Sequence, residues 1–218
     1  MTAQRADEFF FEEEEYSLIG MSDGDLFSPD DYDMEPKMIS TACYRGFYAT
    51  YELTKVGFYL RKLIIREQND NYPIIDDVFP TLVYYEIIDE NSDKSIRPVK
   101  KSIKAQSTNE HAHNLELLKN SCKIMDATYL DMNLKINFTG QIRLAKDSID
   151  TLYVHMGYQK PSSFKTVLDI TLKDGELIRV NNRSNDVAAI RGNFKDSYDS
   201  DCTLKGVINA FRFDMDLE

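Results

Sequence analysis

Nowhere in this 218-residue chain does an apolar run approach the roughly 20 residues that a helix needs to cross a bilayer. Cysteine is scarce. Cys43, Cys122 and Cys202 are an odd set at wide spacing, which makes no disulfide framework. They read as free thiols of a reducing cytoplasm, where the Asn137-Phe138-Thr139 and Asn182-Arg183-Ser184 sequons carry no meaning. G-x-S-x-G, P-loop and G-x-G-x-x-G patterns are all absent, so no motif assigns a nucleophile, a phosphate site or a dinucleotide site. Basic residues are almost missing from the first 36 positions, where Arg5 is the only one. Residues 7–15 then carry a block of acids, the reverse of a secretory signal.

That local lack of bases accounts for the whole net charge of −11. Residues 1–36 hold twelve acids and one base; residues 37–218 hold 25 of each. A neutral body with an acidic front end argues against nucleic acid and allows steering towards a basic partner. The length permits one large or two small domains with a sizeable core.

The best-patterned stretch is Thr41 to Arg66, rich in aromatic and β-branched residues and free of proline. It reads as two long strands joined at Thr54-Lys55-Val56-Gly57. With Gly57 left-handed in a three-residue loop, Thr54 pairs with Phe58. Phe47 then faces Ile65, Ala49 faces Leu63, Leu53 faces Tyr59, and Tyr51 meets Arg61 as a cation–π pair. The other face carries Tyr48, Thr50 and Glu52 against Ile64, Lys62 and Leu60.

In chain order, residues 8–20 read as a short hairpin turning on the Glu run. Residues 21–40 read as a loop broken by Pro29 and Pro36 and pinned by Phe27, Tyr32 and Met34. Leu82 to Ile88 is a strand, and 89–106 a lysine-rich loop. Ser107 to Glu110 forms a capping box for a helix over about 109–126, with Leu115, Leu118, Cys122 and Met125 on one face. Strands follow around Leu134 to Phe138 and around Ile142 and Leu144. Ile149 to Tyr158 alternates, with Leu152, Val154 and Met156 inward. Phe164 to Val180 is a second hairpin, in which a three-residue loop at Asp174-Gly175 sets Leu168 against Val180 and Ile170 against Ile178. Ser184 caps a short helix bearing Val187, Ile190 and Phe194. Phe211, Phe213, Met215 and Leu217 pattern a closing strand. The two hairpins resemble each other, as a duplication would.

The fold class is therefore β-rich α+β: an antiparallel sandwich or open barrel built on two hairpins with one or two flanking helices. Residues 1–40 form an acidic hairpin and loop. Residues 41–218 form a single β-rich domain with an insertion at about 77–128.

Catalytic constellations are weak. His111, His113, Cys122 and Glu110 are poorly spaced for a metal on one helix face. The Asp-rich 22–35 stretch lacks the EF-hand pattern. Cys43 with His155 is conceivable as nucleophile and base, but nothing in the sequence joins them. No cofactor is expected.

Phe138-Thr139-Gly140, Tyr153-Val154-His155-Met156-Gly157, Asp174-Gly175 and the tyrosine-rich hairpin together resemble uncharacterised bacterial proteins. The resemblance implies a bacterial or phage cytosolic origin and no function. The sequence thus points to a non-enzymatic interaction module of the immunity, antitoxin or inhibitor kind. Its binding residues would be Glu12, Glu13, Glu14, Glu15, Asp30, Asp31, Asp33 and Glu35, docking on a basic protein, with no nucleic acid and no membrane. The alternative is a small-molecule-binding protein or enzyme with a pocket between the hairpins, lined by Tyr48, Tyr51, Glu52 and Asp169, the last two a candidate acid–base pair.

Overall fold

A computed structural model describes residues 2–22, 24–88, 97–121, 123–193 and Met215. The strands are β1 (Asp7–Phe11), β2 (Glu14–Met21), β3 (Phe47–Thr54), β4 (Gly57–Ile65), β5 (Thr81–Ile88), β6 (Arg97–Lys104), β7 (Lys123–Tyr129), β8 (Leu134–Lys135), β9 (Gly140–Ser148), β10 (Phe164–Lys173) and β11 (Glu176–Asn182). Among the described residues two helices accompany them, α1 (Thr108–Ser121) and α2 (Ser184–Ile190). All eleven strands belong to one sheet, ordered β11-β10-β9-β2-β1-β3-β4-β7-β5-β6, with β8 beside β4. Neighbours are antiparallel except β1 and β3, which run parallel. The β-rich α+β class is therefore realised as an open, mixed sheet. No helix among the described residues is long and apolar enough to cross a membrane.

The sheet curls on itself. The Ile136 N–H donates to the Phe58 carbonyl (2.8 Å), and the Gly175 N–H donates to the Phe138 carbonyl (2.9 Å). Residues 134–139 thereby join β4 to the β10–β11 turn and bring the two flanks round a common interior. Phe9 and Phe58 are fully buried there, their ring centroids 5.4 Å apart, with Tyr51 beside both. Ile142, Leu144, Ile170 and Leu172 complete the opposite wall. Burial of such side chains is the main favourable term of folding. On the outer face, Ile19, Ala145, Phe164 and Val167 form a smaller cluster with Val187 of α2.

Several sequence expectations are corrected. Thr54 pairs with Gly57 rather than Phe58, so the loop has two residues, Lys55 and Val56. Next, the register shifts between Thr50 and Tyr51, so Phe47–Ile65 and Ala49–Leu63 pair as expected while Leu53 faces Phe58. Arg61 is the extra residue. It turns outward to Glu52 (2.6 Å) and stacks over Tyr59 instead of meeting Tyr51. The bulge lets Phe58 and Leu60, then Leu63 and Ile65, all point inward.

The second hairpin also turns on two residues, Asp174 (φ 51°) and Gly175 (φ 78°), the left-handed pair of a type I′ turn. A shift between Thr171 and Leu172 then sets Ile170 against Val180. Leu177, Ile178 and Val180 are exposed, so no buried face on β11 selects the longer loop.

The lysine-rich segment expected as a loop contains β6. Half of the capping box is present: the Glu110 N–H donates to Ser107 Oγ (3.3 Å), while the Glu110 carboxylate reaches one residue further back and accepts the Gln106 N–H (2.8 Å). The helix stops at Ser121, however, because 123–129 pairs with β4 and β5 as β7. Residues 149–158 form no strand. A 3-10 turn spans Asp150–Leu152, and the Gln159 amide bridges both backbone groups of Val154 (2.9 and 2.8 Å). Ser184 does not cap α2; its Oγ accepts the Val167 N–H of β10 (3.0 Å). Phe194 and the closing strand around 211–217, Met215 excepted, lie outside the described residues.

Candidate functional site

Glu12 and Glu13 alone make the β1–β2 turn, since Phe11 already pairs with Glu14. Both have positive φ, 51° and 65°. That is type I′ geometry, in which Asn-Gly is the favoured pair and a longer side chain such as Glu adds strain. Glu12, Glu13, Glu14 and Glu15 are all exposed. Among the described residues one base reaches them: Lys146 Nζ of β9 lies 3.1 Å from Glu14 and 5.1 Å from the Tyr16 ring centroid. Bonding to Glu14 holds the Lys146 ammonium above its ordinary pKa. Lys100, Lys101 and Lys104 sit on β6, separated from β1 by β3, β4, β7 and β5.

The other four predicted acids, Asp30, Asp31, Asp33 and Glu35, follow β2 at its other end, roughly 23 Å away at strand rise. Asp30 and Asp31 lie exposed on a 3-10 turn, Pro29–Tyr32. Asp33 closes that turn in the left-handed region (φ 54°), its N–H donating to the Asp30 carbonyl (3.1 Å). Glu35 accepts the Asn69 amide (3.2 Å), and its own N–H donates to the buried Glu67 carboxylate (3.1 Å). Glu67 also accepts the Asn69 and Asn71 N–H groups (2.7 and 2.6 Å), tying loop 33–35 to loop 67–71. The eight predicted acids thus form two groups, one of them bound into loop structure.

Phe27, Tyr32 and Met34 do pin the loop. Phe27 stacks on Tyr32 (5.5 Å) and meets Phe47 edge-on (6.1 Å), while Met34 is buried. Between this loop and residues 134–139 opens a cleft of about 500 Å³, lined by Asp25, Phe27, Asp31, Tyr32, Lys135 and Asn137 among others. Sequence reading did not single out this cleft. Its two walls lie more than 100 positions apart, and only the loop's aromatics signalled contact with the body.

The alternative pocket residues are not gathered. Tyr51 is inside the core that the sheet curls round, where burial pushes its phenol well up. Tyr48 lies under the Arg5 guanidinium, 3.7 Å from the ring centroid. Glu52 is paired with Arg61. Asp169, on β10, is buried in a two-pronged pair with Arg143 (2.6 and 2.9 Å), whose Nη1 also donates to the Met215 carbonyl (2.9 Å). Strands β9, β2 and β1 fill the sheet between Asp169 and Glu52.

Of the other chemical candidates, His111 and Cys43 have structural partners. His111 is buried with Nε2 2.6 Å from the Tyr72 carbonyl, and His113 is exposed. Cys122 lies outside the described residues. Cys43 is buried, its Sγ donating to the Phe47 carbonyl (3.3 Å), and burial pushes the thiol up. Asp7 is buried beside Arg45 and accepts the Ala49 N–H (2.6 Å). Among the described residues no group of three His, Cys, Asp or Glu side chains is placed to hold a metal ion. Comparison with family models, with curated proteins and with solved structures finds no match for this chain.

Proposed function

We propose that the chain is a non-enzymatic interaction module of the immunity, antitoxin or inhibitor kind, which docks acidic surface on a basic protein. One observation carries this. Four consecutive exposed glutamates run through a left-handed turn, Glu12 and Glu13, into the start of β2; other residues would form that turn with less strain, and among the described residues one base faces the four. Strain kept in place at a surface turn is a recurrent companion of function. Close like charges repel, and a partner's Lys and Arg side chains would relieve that repulsion. Asp30, Asp31, Asp33 and Glu35 form a second acidic group, which a large partner would meet separately.

The test is affinity capture from host extract with the wild-type chain and two variants. In one, Glu12, Glu13, Glu14 and Glu15 become Gln. In the other, Asp30 and Asp31 become Asn. The expected result is a basic protein retained by the wild type and lost from the glutamate variant, with association slowing as salt rises. Equal capture by the wild type and the glutamate variant, insensitive to salt, overturns the proposal.

A further inference from the structure

The cleft between loop 24–32 and residues 134–139 has a chemistry of its own. Its volume, about 500 Å³, falls in the range of small-ligand sites. Phe27 and Tyr32 are stacked, their planes inclined by 22°, and since Phe27 is buried the half-buried Tyr32 ring is the more accessible aromatic surface of the loop. Ile136 and Phe138 contribute apolar surface from the other side. The charged groups at the rim are the Asp25 and Asp31 carboxylates on the loop and the Lys135 ammonium opposite. Among the described residues neither carboxylate has a hydrogen-bonded or ion-paired partner, and Lys135 spans to neither. Ser28, Asn137 and Thr139 add neutral polar groups.

We propose that this cleft receives a guanidinium or ammonium group on an apolar stem, the arginine or lysine side chain of the basic partner. The identity of the carrier rests on the docking function proposed above; the cation chemistry does not. Two carboxylates outweigh one ammonium, so the local charge favours a cation. The Tyr32 ring suits a planar guanidinium, which stacks on ring faces more readily than a hydrated ammonium. The Tyr32 phenol reports the same field: burial, then Asp31 and Asp76, hold its pKa above the ordinary value. The stem would lie along Ile136, and Lys135 would keep a second positive charge out of the far side.

The experiment follows backbone amide signals of residues 24–32 and 134–139 by NMR at low salt. The probes are Nα-acetyl-arginine amide, spermidine and, as an anionic control, Nα-acetyl-glutamate amide. The expected result is saturable shifts with the arginine compound, weakened at least tenfold by Asp25→Asn with Asp31→Asn, and none with the glutamate compound. Both aspartates are exposed, so this variant should melt as the wild type does, which a parallel thermal scan checks. Changing Glu12 to Glu15 to Gln should leave the shifts intact. Absence of saturable shifts, shifts undiminished in the double Asn variant, or equal binding of the glutamate compound overturns the proposal. Tighter binding of spermidine than of the arginine compound overturns the partner side chain as the source and assigns the cleft to a free polyamine. If the cleft binds arginine while partner capture ignores the glutamate turn, the docking function falls and the cation site stands.

Discussion

Among the described residues, nine non-glycine positions have positive φ, and seven of them are aspartates: Asp33, Asp70, Asp76, Asp77, Asp131, Asp147 and Asp174. Aspartate tolerates the left-handed region better than most residues, so part of this chain's acidity is turn chemistry rather than binding surface. Asp33 belongs to both accounts. Carboxylates elsewhere differ sharply by burial. Asp169 and Arg143 have side chains only 6% and 2% exposed, whereas Glu52 and Arg61 are 38% and 31% exposed. Asp169→Ala takes the carboxylate from the buried Arg143 guanidinium and should cost about 3–5 kcal/mol; Glu52→Ala should cost under about 1 kcal/mol. Chemical denaturation of the two variants checks the contrast. Glu8 gives a pH signature. Burial alone would raise its carboxyl, but hydrogen bonds from Thr50 and Arg5 hold it below the ordinary value of 4.5. A carboxyl depressed in the folded state adds stability above that value and loses it as pH falls through the folded pKa. Glu8→Gln should therefore melt lower than the wild type at neutral pH, and the two should converge in acid.

At the scale of elements, the β1–β2 turn and the bulges decide most of the geometry. Replacing Glu12 with Asn and Glu13 with Gly supplies the preferred type I′ residues and should stabilise by about 1 kcal/mol, read as a higher melting temperature. A lower one would show that the glutamates support the fold. The bulge in β4 was legible in principle: apolar positions change from even (Phe58, Leu60) to odd (Leu63, Ile65), and a strand can bury both pairs only with an extra residue between them. The same change marks β2, where Leu18 faces the main core, Ile19 joins the outer cluster, and the register shifts between Leu18 and Gly20. For β11 no such signal existed, because its apolar side chains are not buried. Its register follows from the Asp174-Gly175 turn and the bulge beyond it.

At the scale of the molecule, β1 is the link between two groups of strands. On one side lie β2, β9, β10 and β11; on the other lie β3, β4, β7, β5 and β6. Among the described residues only the parallel pairing of Glu8 to Phe11 with Thr50 to Leu53 joins them within the sheet. The acidic hairpin is therefore central, with Phe9 fully buried. Deleting residues 2–21 should abolish cooperative folding, and a thermal scan that keeps a sharp single transition would refute this. Much of the local structure was legible from the chain itself. Alternation marked most of the strands, the Ser107–Glu110 box marked the start of α1, and charge counting located every excess acid. Those signals act between residues a few positions apart, where sterics and pattern suffice. The parallel β1–β3 pairing, the bridge from Ile136 to Phe58, the burial of Tyr51 and Asp169, and the cleft between residues 24–32 and 134–139 bring together distant positions. These were decided only when the whole sheet closed on one core, because which surface is buried depends on what other strands arrive to cover it.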